Sequence, residues 1–184
     1  MHLPALSVRR LIGAAAIACT AVLAPMATLA ATASPAATGN APAVASAPTC
    51  TTSELVVWLD TRGSGTAGST YYNLKFTNLS GHACTLRGYP GVSAVDLRSR
   101  QLGSAASQNH HLIPHLVSLA SGATATAVLQ IGDTGHFAPA TCRRVTAAGL
   151  RVYPPNQTTA KLIPFPFNAC SRTGPLYLSV EATT

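Results

Sequence analysis

Residues 76–92 read FTNLSGHACTLRGYPGV, and the division of this stretch decides the fold. Phe76 and Thr77 end an alternating run, after which Asn78-Leu79-Ser80-Gly81 supplies turn chemistry. Cys84 and Leu86 share one face of a short strand, and Gly88-Tyr89-Pro90-Gly91 turns the chain again. Strand, turn, strand and turn within seventeen residues make a corner of an antiparallel β fold. Tyr89 is expected to act as an anchor in the core beside the Cys84 bridge, its hydroxyl bonded to backbone. The competing role is a ligand-contacting aromatic on the Pro-Gly turn.

Upstream, Tyr72, Leu74 and Phe76 alternate with Tyr71, Asn73, Lys75 and Thr77, the period of a half-buried strand. Leu55, Val57 and Leu59 form the apolar face of an earlier strand, which the Gly/Ser-rich residues 61–69 are expected to end. Downstream, Val92 and Ala94 differ in parity from Val95 and Leu97, which predicts a bulge near Ala94-Val95. Residues 98–115 follow neither period and read as an exposed loop with at most one short strand. A short strand is expected over 116–119, and a long one over 123–131 with small inward residues. Leu150 to Tyr153, an edge strand over 159–167 interrupted by Pro164 and Pro166, and Leu176, Leu178 and Val180 complete the set. No stretch beyond the N-terminus has helical period. Eight or nine short strands describe an all-β, immunoglobulin-like antiparallel β-sandwich.

Residues 1–33 have another organisation. Arg9-Arg10 precede a long uncharged apolar run, and Ala31-Thr32-Ala33 closes it with small residues, the pattern of a secretory signal peptide. A membrane anchor is the rival, but the run is Ala-rich, is interrupted by Pro25 and lacks a basic stop-transfer cluster. Arg9-Arg10 lacks the rest of a twin-arginine pattern. Lipidation of Cys19 is disfavoured because Ala16 precedes it and apolar residues follow. Residues 34–49 are Ala, Pro, Thr, Ser, Gly, Asn and Val, too poor in apolar bulk to fold, and form a disordered spacer. The folded domain is residues 50–184, and the protein is expected to be secreted or displayed at the cell surface.

Four cysteines remain after the signal: Cys50, Cys84, Cys142 and Cys170. An even number in an exported chain predicts two disulfides, with three connectivities open. A Cys84–Cys142 pin of immunoglobulin type fits poorly because Trp58 lies before both cysteines. No Cys-x-x-Cys pair points to zinc.

A cysteine before the first strand (Cys50), Leu74-x-Phe76-x-Asn78-x-Ser80, Cys84-Thr85-Leu86-x-Gly88-Tyr89-Pro90-Gly91-Val92, Leu119-x-x-Gly122-x-x-Ala125 and the late Cys142 and Cys170 form one ordered set. In this the chain resembles the domain of unknown function 4232, a family common in exported actinobacterial proteins. The resemblance implies an immunoglobulin-like sandwich behind an export signal, often with a lipid anchor. It also implies the sequential bridges Cys50–Cys84 and Cys142–Cys170, and it supplies no catalytic residue.

The chain carries a formal +7. Without Arg9 and Arg10, ten basic residues stand against five acids, which suits weak attraction to anionic polymers of a cell wall or to a membrane surface. The basic residues are scattered and lack interleaved aromatics, so no nucleic-acid partner is expected. The acids Glu54, Asp60, Asp96, Asp133 and Glu181 and the absence of a Gly-x-Ser-x-Gly elbow predict a non-enzyme without cofactor or metal. Binding residues are sought in the aperiodic loop: Arg98, Arg100, His110, His111 and His115. The expectation is a non-catalytic envelope module, monomeric, whose partner is an anionic envelope polymer or another envelope protein, and which meets the membrane only through its export signal. The alternative is a secreted metal- or small-ligand-binding protein that uses the three histidines, although Pro114 opposes a helix that would align His111 with His115.

Overall fold

The computed structural model describes residues 46–184. The expected signal peptide, Cys19 and most of the expected spacer lie outside the described residues. The spacer's last residues are not free: Thr49 forms a bridge with Thr85, and the Pro48 carbonyl accepts a hydrogen bond from the Thr85 amide at 2.7 Å. The folded part therefore begins before Cys50.

Among the described residues eleven strands follow in chain order: β1 (Leu55–Thr66), β2 (Ser69–Asn78), β3 (Cys84–Leu86), β4 (Gly91–Val95), β5 (Gln101–Leu102), β6 (Ser107–Gln108), β7 (Val117–Leu119), β8 (Thr124–Gly132), β9 (Arg144–Tyr153), β10 (Lys161–Cys170) and β11 (Leu178–Val180). One sheet has the order β1-β2-β8-β11-β6, the other β10-β9-β4-β5, and β3 pairs with β7 beside them. All pairs are antiparallel except β11 with β6. This is the expected all-β sandwich. Leu55, Leu59, Leu74, Phe76, Leu129 and Ala127 from one sheet face Leu150, Val152 and Ala94 from the other across a continuous core. Both expected bridges are present and buried, Cys50–Cys84 and Cys142–Cys170.

The corner at residues 76–92 is built around Asn78, which is fully buried. Its amide donates to the carbonyls of His82, Leu119 and Ala120, and its Oδ1 accepts from the Ser80 amide and hydroxyl. The side chain thus supplies backbone partners where no strand can, which is how a polar residue is tolerated inside.

Several expectations are corrected. Residues 61–66 are strand, not loop: after a register shift between Asp60 and Ser64, the arm pairs through Ser64↔Tyr71 and Thr66↔Ser69 and turns at Gly68, whose φ is +82°. Pairing with β2 overrides the loop-like composition. No bulge interrupts β4, whose register runs unbroken from Val92↔Val152 to Val95↔Gly149. Val92, Ser93, Ala94 and Val95 are all buried, so parity carries no information in a strand covered on both faces. Strand β9 starts at Arg144, and residues 98–115 contain two short strands. Tyr177 is buried where Leu176 was expected, and Leu176 is exposed. A single helical turn (Thr134–His136, 3-10) and α1 (Pro139–Cys142) occupy the break after β8.

Candidate functional site

The aperiodic stretch does not form one surface. It leaves the second sheet at β5, crosses the edge of the sandwich and joins the first sheet at β6. Arg98 and Arg100 sit beyond the C-terminal end of β4, whereas His110 contacts Tyr89, which precedes its N-terminal end. A five-residue strand, about 16 Å of rise, separates the two groups.

The histidines divide further. Tyr89 is half-buried rather than a core residue. Its hydroxyl donates to the Leu112 carbonyl and lies 3.0 Å from His110 Nδ1, with the rings edge to face. The expected backbone bond is thus present, but the ring anchors a loop, not the bridge. His111 and His115 are exposed, and the Asn109 side chain caps the His111 amide. Among the described residues no three His, Cys, Asp or Glu side chains converge in a way that could hold a metal ion.

The hairpin tip between β4 and β5 is held by a web of hydrogen bonds. The Asp96 carboxylate accepts from the amides of Arg98 and Arg100 through Oδ1, and from the Arg100 guanidinium through Oδ2. The Arg100 amide and guanidinium hold this carboxyl below its usual range. The Asp96 amide donates to Arg100, the Ser99 amide donates to Asp96, and Ser99 takes φ +58°. Arg151 on β9 donates to the Ser99 carbonyl. This web presents Leu97 outward at 94% exposure. Beneath it runs an apolar groove of about 240 Å³, lined by Val95, Leu97, Ala148, Leu162, Ile163 and Pro164. Arg98, Arg100 and Thr146 line a neighbouring depression that shares Asp96 and Leu97.

Charge is unevenly divided. Arg98, Arg100, Arg144, Arg151 and Lys161 belong to the second sheet or its hairpin, against Asp96 alone. The other four acids lie on or next to strands of the first sheet, where Arg62 and Lys75 are the only Arg or Lys. The residues that create this asymmetry are far apart in sequence, so only Arg98 and Arg100 were legible, and Leu97 was read only as a strand residue in step with Val95, whereas β4 ends at Val95.

Each acid already has a structural task. Glu54 accepts from Thr51, Asp60 from Arg62, Asp133 from the Gly135 amide and Glu181 from Asn109. The Arg62 guanidinium and amide hold Asp60 down to about 2, and the Thr51 amide lowers Glu54. A general acid at neutral pH needs a shift in the opposite direction. A separate polar cleft of about 310 Å³ lies at the other sheet, where Gln130 bridges Ser69 and Ser179 near Asp133 and His136. Trp58, the only tryptophan, is 41% exposed on that sheet's outer face and donates to Thr77 Oγ1.

A family model described as Domain of unknown function (DUF4232) matches residues 50–183. No curated protein and no solved structure matches the chain.

Proposed function

The chain belongs to the DUF4232 family, and from that premise we propose that it is an exported, non-catalytic module that works as a monomer at the cell envelope. It binds an anionic envelope component through the four-stranded sheet, and nucleic acid is not its partner. The observation that carries this reading is the segregation of charge: five cations against one carboxylate on the second sheet and its hairpin. Two buried disulfides support an oxidising compartment. Attraction of this kind weakens with salt because exposed charges are screened within about 8 Å at physiological ionic strength.

The test is co-sedimentation of the protein with envelope isolated from its own host, across a salt series. Reversing Arg98 and Arg144 to Glu should abolish retention at low salt, whereas Arg62→Glu and Lys75→Glu on the first sheet should leave most of it. Equal losses from the two pairs, or retention indifferent to salt, would remove the second sheet from the function.

A further inference from the structure

We infer that the β4–β5 hairpin tip docks on a bilayer surface carrying anionic phospholipid, with Leu97 entering the interface and arginines meeting the headgroups. This deepens the reading above, on which it rests, by naming lipid instead of polymer as the anionic ligand. It also adds a membrane contact beyond the export signal, to which the sequence-based expectation had confined the membrane.

Three observations converge. Leu97 is held in water at 94% exposure by a turn with no slack: Asp96 caps two amides, Ser99 is in the left-handed region, and Arg151 ties the turn to β9. A rigid turn loses little entropy on docking. Second, Leu97 is not isolated, because the groove it lines also carries Leu162, 55% exposed, with Pro164 and Ile163. Third, the charges surrounding this apolar tip are complementary to an anionic surface. Arg98 is exposed and its guanidinium has no partner among the described residues. Arg100 spends part of its charge on Asp96, and Arg144 and Arg151 stand on the adjoining strand. An anionic polymer would use the arginines but leave Leu97 and Leu162 in water. A bilayer interface uses both, since its headgroups attract cations and its acyl boundary accepts apolar side chains.

The experiment moves the single tryptophan to the tip. In a Trp58→Phe background, Leu97→Trp makes the tip the only indole, so its emission reports this site even if other segments touch lipid. Vesicles of phosphatidylglycerol and phosphatidylcholine should shift that emission to the blue, pure phosphatidylcholine should not, and salt should reverse the shift. With the native tip, flotation should fall roughly tenfold in Leu97→Asp and about fivefold in Arg98→Ser. Both positions are exposed, so neither change threatens the fold. An unshifted indole, or equal flotation of Leu97→Asp and wild type, overturns the assignment. So does a blue shift without vesicles that grows with protein concentration, which would give the groove to a second copy. Salt-sensitive retention on native envelope without vesicle binding overturns lipid and leaves the envelope module standing. Loss of both removes both.

Discussion

Tyr177 shows how much a single ring decides at the joint between the two sheets. It is buried just before β11, its hydroxyl donates to the Leu102 carbonyl at 3.3 Å, and Gly103 passes close beside its ring. Burial pushes the phenol from 10.0 up to about 12. Because the folded value is raised above the unfolded one, its contribution is complete below about pH 10. It is then lost as pH rises through the folded value of about 12. Stability of the native protein should therefore fall over that alkaline window. Tyr177→Phe should flatten the fall and cost about 1 kcal/mol at neutral pH through the lost hydrogen bond. Denaturant midpoints at pH 8, 10 and 11.5 check this, and an unchanged alkaline slope in the variant would assign the loss elsewhere. The sequence could not single out Tyr177. Its neighbour Leu176 has the strand parity, and only the irregular segment before β11 places the ring inside. Asn78 is the opposite case: its turn role was legible, but its burial was not, because the carbonyls it satisfies come from residues four and forty or more positions away.

At the scale of the element, β10 was legible because of its prolines. Pro164 and Pro166 lack an amide to donate, and the strand does lie at a sheet edge, with a register shift between Pro164 and Phe167. Its partner β9 was only half legible, since Ala147, Ala148 and Gly149 carry little apolar signal. Yet Gly149 is what allows the shift: a Cβ there would run into the Ile163 carbonyl across the pair. Gly149→Ala should thus cost about 2 kcal/mol, the scale of local overpacking, and should loosen β10 before the rest of the domain. Amide exchange across Leu162 and Ile163 reads the loosening, and protection equal to the native protein's would show that β10 shifts without strain. Strand β4 failed for a different reason. Alternation marks a strand with one wet face, and a strand covered on both sides has none.

For the molecule as a whole, the alternating strands carry the architecture, and the bridges fix it. The bridges span 34 and 28 residues of sequence, and all four cysteines lie in the shared core. Cys142–Cys170 joins α1 to the end of β10, and Cys50–Cys84 ties the start of the domain to β3. Restricting the unfolded chain in this way contributes about 3.6 kcal/mol for each bridge on the loop-closure model. Together that is roughly 7 kcal/mol against a net stability of about 5–15 kcal/mol for a typical domain. Many inward positions of this core are alanines, among them Ala94, Ala125, Ala127, Ala147 and Ala169, which bury little area for each residue ordered. The domain should therefore sit at the low end of that range and depend on both bridges. Replacing one cysteine pair by alanine should leave a cooperative but weakened fold, and replacing both should leave the chain unfolded at 25 °C. Circular dichroism through a urea series separates these cases. A four-alanine variant that still unfolds cooperatively would show that the alanine-rich core closes without its bridges.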